Sequence, residues 1–210
     1  MALAPVVLAL IWWTTRPFTV ELATSTDSLS DLSPAQRSNI RLAASALDRY
    51  VIKPSQVLSF NGIVGRRSLN RGYRPAPSYL EADSPSTAGG GICLLSSSLY
   101  RAALNSGLTV VERTPHTRTV RTIAPGLDAT VWYGQADLKL RNSYAYPVEI
   151  LASTSPRALE VKILGSATPR YRLSRLVSRA NPRDILVSVF RAEGGAPPQL
   201  VSRDLYRLSP

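Results

Sequence analysis

Apolar positions along this chain recur first at helical spacing and later in alternation, so helices are expected early and strands late. Ser33-Pro34 reads as an N-cap followed by proline at the first helical position. Ile40, Ala43, Leu47 and Tyr50 then share one face through residues 35–51, and Pro54 stops the helix. The clearest helix spans residues 92–105, with Ile92, Leu95, Leu99 and Ala102 as one apolar stripe and Gly107 as its end. Residues 57–60 and 108–112 are expected as short strands, and loops rich in Gly, Pro, Arg or Ser occupy 62–77 and 83–91. From Asp128 onward strand follows strand: 129–133, 138–141, 148–152 and 159–164, then 171–177, 185–190 and 200–206. The expected fold class is α+β, with early helices packed on an antiparallel sheet and a central Cys-bearing helix followed by strands. Sixteen prolines argue against a helical bundle.

Composition and the chain start refine this picture. Ala2–Trp13 is a continuous apolar run, shorter than the roughly 20 residues a spanning helix needs. It fits the apolar core of a signal peptide, although no basic residue precedes it, and a buried N-terminal strand or helix would have the same composition. Residues 23–32 are polar and loop-like. The expected organisation is therefore residues 1–22 as signal peptide or short membrane anchor, 23–165 as the α+β domain and 166–210 as a C-terminal β extension.

The net charge of +11, from 25 Lys and Arg against 14 Asp and Glu, suits anionic surroundings such as lipid headgroups or wall polymers. The basic residues are scattered and no nucleic-acid-binding signature accompanies them, so nucleic acid is not expected as a partner. A single cysteine excludes an intramolecular disulfide. One Cys and one His do not compose a zinc site without carboxylates, so no metal or other cofactor is expected.

The candidate chemistry centres on Cys93, which directly follows Gly89-Gly90-Gly91 and Ile92 at a helix start. Unpaired N–H groups and the helix dipole there favour a thiolate, and could hold an oxyanion. The glycines permit positive φ and close approach of substrate to backbone. His116 is the only imidazole in the chain, and Asp128 follows where it could orient that ring. The order helix-borne Cys, then His, then Asp resembles that of transglutaminase-like and papain-like hydrolases. The plainer alternatives are a packed thiol, a polar turn histidine and a turn aspartate. Ser96, Ser97 and Ser98 lie inside the helix and are expected to pack or cap. Arg66, Arg67, Arg71 and Arg74 surround Tyr73 in a basic loop, either a solvated surface or a rim recognising carboxylates or phosphates.

Several blocks together resemble the VanW family. They are Asn39–Ala44, Leu58–Asn61 with Val64-Gly65-Arg66, Arg71-Gly72-Tyr73, Gly89–Cys93 running into Ser96–Tyr100, Gly107-Leu108, Val111-Glu112-Arg113, His116, Pro125-Gly126, Asp128-Ala129-Thr130 and Arg141-Asn142. The glycine–cysteine block is the most specific. Leu94 stands where the family usually has Gln, and Leu127 where it often has Arg. The resemblance implies an exported, envelope-associated protein. Cys93, His116 and Asp128 match the family pattern as the candidate catalytic set. Gly89, Gly90, Gly91, Arg66, Tyr73 and Asn61 are the candidate substrate-binding residues. The expected activity is a cysteine-dependent hydrolase or transpeptidase acting on cell-wall peptide or amide bonds. The alternative is a non-catalytic envelope module binding anionic wall polymer or peptidoglycan. The expected partners are a cell-wall polymer or peptide, with membrane association through the N-terminus.

Overall fold

A computed structural model describes residues 18–78, 86–167 and 171–209. Its principal layer is a four-stranded antiparallel sheet with strand order β1-β9-β8-β2, built from β1 (Val20–Ser28), β2 (Tyr50–Ile52), β8 (Val148–Thr154) and β9 (Ala158–Gly165). In β9, Leu159, Val161 and Ile163 are fully buried and alternate with partly exposed residues, the period expected of a strand with one face on the core. Helix α1 (Pro34–Leu47) packs on β8, and helix α3 (Cys93–Ser106) packs on β1 and β9.

Both helices begin and end for local reasons. Ser33 caps α1 in a reciprocal capping box with Gln36, and Pro34 stands in its first turn. The helix stops at Leu47, earlier than the apolar spacing suggests. Arg49 takes a left-handed φ of 59°, and Tyr50 pairs with Ile150 on the sheet. The Asp48 carboxylate accepts from the Ala152 N–H, so the chain leaves the helix to meet β8. Helix α3 ends at Gly107, whose φ of 82° makes the left-handed cap. Eleven of its fourteen residues are buried, so it is an interior helix rather than a surface one with a single stripe.

The segment expected to be a polar loop at 23–32 begins instead inside β1, which pairs along its length with β9. Its inward positions include Ala23 and Ser25, so apolar alternation is faint in the sequence. Ser25 accepts from Arg101 Nε at 3.1 Å, and Asp27 pairs with Arg101 from helix α3. Residues 129–133 form no strand; they contribute the isolated bridges Thr114–Thr130 and Trp132–Ala136 and run alongside α3. Strand β3 (Val57–Ser59) passes at Phe60 into a short helix α2 (Phe60–Val64), and β3 joins β7 (Lys139–Arg141) and β6 (Thr109–Glu112) in a second sheet. The 62–77 loop contains a 3-10 turn (Leu69–Arg71) and β4 (Pro75–Ala76), which pairs with β5 (Thr87–Ala88).

The C-terminal strands β10 (Tyr171–Asn181), β11 (Asp184–Glu193) and β12 (Gln199–Arg207) form a third antiparallel sheet, longer in each strand than the sequence pattern indicates. Val187, Val189 and Tyr206 are its buried anchors against the rest of the protein. No helix among the described residues is long and apolar enough to cross a membrane. The apolar run Ala2–Trp13 lies outside the described residues.

Candidate active site

Cys93 occupies the first turn of α3, and a chain of short-range contacts puts it there. Asn39, fully buried on α1, donates to the carbonyls of Arg74 (2.9 Å) and Gly90 (3.1 Å) and accepts from the Arg74 N–H (2.8 Å). Gln36 donates to the Pro77 carbonyl at 3.1 Å. Helix α1 thereby clamps the glycine loop that feeds α3. Glycine is required at the middle of that loop: a Cβ on Gly90 would stand 2.1 Å from the Ala76 carbonyl oxygen. Gly89 and Gly91 hold φ of 89° and 94°, a region that favours glycine.

The helix start differs from a fully open one. The N–H groups of Ile92, Leu94, Leu95 and Ser96 bond to carbonyls of Gly89, Gly91 and Ile92 within the turn. Among the described residues, the Gly91 and Cys93 N–H groups of this turn make no bond to a backbone carbonyl. The expected set of free donors is thus reduced to these two.

His116 and Asp128 meet as the sequence suggested. His116 Nδ1 lies 2.7 Å from Asp128 Oδ2, which also accepts from the His116 backbone N–H at 2.6 Å. This leaves Nε2 as the ring nitrogen open to Cys93. Both side chains are nearly inaccessible, His116 at 5% and Asp128 at 2% exposure. Burial by itself lowers the His116 pKa. Hydrogen bonding to Asp128 and to Cys93, together with their charges, outweighs it and pushes the pKa up to about 9. Burial also works against ionising Asp128, but hydrogen bonds from His116 and Tyr206 and the Arg113 charge hold its pKa at about 2. The paired state is therefore an imidazolium beside a carboxylate at neutral pH.

The Asp128 carboxylate is held more firmly than the sequence indicated. Its Oδ1 accepts from Arg113 Nη2 at 2.9 Å and from the Tyr206 hydroxyl at 2.6 Å. Arg113 Nη1 reaches Asp204 at 2.5 Å, and the Gly126 N–H donates to Tyr206 at 2.8 Å. Burial opposes the Arg113 charge, but the neighbouring Tyr100, Tyr206 and two aspartates more than restore it. Tyr206 and Asp204 come from β12, far along the chain, so no local pattern marks them. In the sequence Arg113 appears only as the last residue of the family block Val111-Glu112-Arg113, just past an expected strand, with no role attached.

Serines of helix α3 link the thiol's turn to the segment that follows Asp128. Ser96 Oγ donates to the Ala129 carbonyl at 2.6 Å, and the Ala129 N–H donates to Ser97 Oγ at 2.9 Å. Ser97 in turn donates to the Cys93 carbonyl at 2.6 Å. These serines tie the segment after Asp128 to the first turn of α3. Cys93 Sγ itself lies 3.9 Å from the Val131 carbonyl, at the edge of a sulfur contact.

Two hollows adjoin the thiol. A small one of about 20 Å³, on the His116 side, includes Leu32, Leu94, Val120 and Ile123 in its wall. Leu94 thus lines the floor beside the thiol. The other hollow is a groove of about 290 Å³ with Cys93, Arg66, Arg67, Trp132 and Tyr133 among its walls. A larger hollow of about 690 Å³ lies against Arg37, Arg41, Arg74 and Arg157 and contains neither Cys93 nor His116.

The expected binding residues separate into two groups. Gly89, Gly91 and Arg66 border the groove. Gly90 is buried beneath Ala76, and Tyr73 is buried at 3% exposure and lines neither hollow. Asn61 faces its neighbours: it donates to the Ala136 carbonyl at 2.8 Å and accepts from Arg67 Nη1 at 2.6 Å. Arg67, expected only as one of four arginines in a solvated loop or an anion-recognising rim, borders the groove and donates to Asn61. No group of three or more metal-ligating side chains occurs among the described residues.

Comparison with known proteins agrees with this arrangement of blocks. Residues 35–164 match the family model described as VanW like protein. The uncharacterized protein YoaR of Bacillus subtilis (strain 168) is 43% identical over 114 residues, covering 54% of this chain and 38% of YoaR. The vancomycin B-type resistance protein VanW of Enterococcus faecalis (strain ATCC 700802 / V583) is 31% identical over 111 residues, covering 50% of this chain and 40% of that protein. The alignments thus span well under half the length of either relative. No solved structure matches. With the family match running across more than half of its length, and taking in Cys93, His116 and Asp128, the chain belongs to the VanW family.

Proposed function

We propose that this protein is a thiol-dependent hydrolase or transpeptidase of the cell envelope, acting on peptide or amide bonds of the wall. The observation that supports it most is the His116–Asp128 pair, 2.7 Å apart, set against a thiol that opens onto a groove. The Cys93 sulfur attacks the carbonyl carbon of the acyl donor, and the Cys93 N–H is placed to steady the oxyanion. His116, charged in the resting pair, gives its proton to the departing amine as the C–N bond breaks. A thioester to Cys93 remains. Water or an acceptor amine then attacks that carbonyl, His116 takes the incoming proton, and the C–S bond breaks to return the thiolate.

Asp128 fixes the tautomer and stabilises the imidazolium. The chain order Cys, His, Asp on a helix and the segments after it is that of transglutaminase-like and papain-like hydrolases, a likeness of order alone. The envelope setting rests on the family, one member of which is named for vancomycin resistance.

The test is incubation of the protein with soluble peptidoglycan fragments, followed by intact-mass analysis. The expected result is an acyl adduct on Cys93 that is absent from Cys93→Ala and strongly reduced in His116→Gln, where the thiol loses its imidazole partner and the departing amine its proton donor. No adduct, together with unchanged wall binding by Cys93→Ala, contradicts the reading and leaves a non-catalytic envelope module.

A further inference from the structure

Arg67 stands out among the chain's arginines for where its charge lies. It borders the groove that holds Cys93, yet it is largely withdrawn from solvent. Arg101 and Arg113 meet carboxylates directly; Arg67 forms no salt bridge among the described residues. Burial weakens its charge, and the nearby Cys93, Tyr73 and Asp137 partly restore it through space. Asp137 is the carboxylate whose charge reaches it through space, but it is engaged elsewhere. Its oxygens accept from Ser59 Oγ (2.6 Å), the Asn61 N–H (2.9 Å) and the Leu138 N–H (2.9 Å). A guanidinium partly withdrawn from water without a carboxylate partner is costly, and an arriving anion offsets that cost.

The orientation of the group matters as much as its charge. Nη1 is anchored twice, to Asn61 Oδ1 at 2.6 Å and to the Gly65 carbonyl at 3.0 Å. Phe60 lies beneath the plane, its ring centroid 5.9 Å from Cζ. One nitrogen is thus pinned, while Nε and Nη2 have no acceptor among the described residues. That remaining edge presents two parallel N–H groups, which match the two oxygens of a carboxylate. Arg66 adds a second cation to the wall, and no Asp or Glu among the described residues lines the groove.

We propose that Arg67 is the anion-recognising residue of the Cys93 groove, and that the acyl donor carries a free carboxylate close to the carbonyl attacked. This rests on the thiol-enzyme reading and narrows it to carboxylate-bearing peptides over neutral amides. Asn61 then acts as a positioning residue that holds the guanidinium in place.

The experiment compares two reagents of nearly equal size on the full chain, read by intact mass. Iodoacetate carries a carboxylate, whereas iodoacetamide is neutral. The rate ratio of the two cancels general changes in thiol reactivity, and the urea-unfolded chain supplies the reference ratio. The folded protein is expected to favour iodoacetate relative to that reference. Arg67→Gln should lower the ratio about three- to tenfold, given one charge removed at close range. Arg67→Lys, which keeps the charge but not the fork, should fall between wild type and Arg67→Gln, which separates loss of charge from loss of fold. Arg172→Gln, on the distant β10, should leave it unchanged. Because His116 also attracts anions, the change between variants is the quantity that counts. Equal ratios in wild type and Arg67→Gln overturn the anion proposal but leave the thiol-enzyme reading standing, provided iodoacetamide still modifies Cys93. If neither reagent modifies Cys93 in the folded protein, both ideas fail.

Discussion

Asp128 takes part in five polar contacts through its carboxylate and backbone carbonyl: with the ring and N–H of His116, with Arg113 twice and with Tyr206. Removing its charge leaves Arg113 buried with one carboxylate instead of two. Asp128→Asn is therefore expected to destabilise the protein by about 3 kcal/mol, read by denaturant unfolding. The pH dependence follows from the two shifts. His116 is raised from 6.5 to about 9, so its contribution is complete below pH 6.5 and is lost as pH rises through about 9. Asp128 is lowered from 3.8 to about 2, so its contribution is present above pH 3.8 and is lost as pH falls through about 2. The pair is at full strength between those limits. His116→Gln should flatten the alkaline fall, which in the wild type amounts to on the order of 3 kcal/mol. At this scale the sequence was informative where residues were rare. Cys93 and His116 each occur once, and both lie at the site. Arg67 was legible only as one of four arginines in a basic loop and Arg113 only as part of a family block, since burial and partners decide their role and neither is visible in a one-dimensional pattern.

At the scale of elements, the turn before α3 is the most tightly specified. Gly90→Ala places a methyl group 2.1 Å from the Ala76 carbonyl oxygen, which is backbone and cannot rotate away. The variant is expected to lose several degrees of melting temperature and most of its Cys93 reactivity, because the β4–β5 pair must open. Ser97→Ala removes the acceptor for the Ala129 N–H and should cost about 1 kcal/mol, with a slower Cys93 reaction. The capping box at Ser33 and the stop at Gly107 were readable because caps are local chemistry. Strand β1 was not readable: its inward Ala23 and Ser25 are small, and the hydrogen bonds that make it a strand come from β9, about 140 residues later. The expected strand at 129–133 failed for the opposite reason. Ala129 and Val131 are buried, but the backbone bonds of the segment go largely to the serines of α3 and to the Thr114 bridge.

At the scale of the whole molecule, the C-terminal sheet reaches back into the site. The family match ends at residue 164, yet Tyr206 and Asp204 from β12 complete the surroundings of Asp128 and Arg113. Val187 and Val189 close over Gly126, where a Cβ would lie 2.8 Å from each. Tyr206→Phe keeps the ring and removes the hydroxyl. It is expected to destabilise the protein by about 2 kcal/mol, since the bond lost goes to a charged carboxylate. It should also move the pH dependence of Cys93 alkylation, an effect that loss of packing alone would not give. A Tyr206→Phe variant with the wild-type pH profile would confine the sheet to a structural role.

The central claim, that Cys93 works as a thiol paired with the His116–Asp128 dyad, is tested most directly by the rate of Cys93 alkylation with iodoacetamide across pH 5–9. The account predicts that folded wild-type protein reacts at neutral pH faster than the unfolded chain, and that His116→Gln slows this at least tenfold. A folded protein that reacts no faster than the unfolded chain, with His116→Gln indistinguishable from wild type, would contradict it.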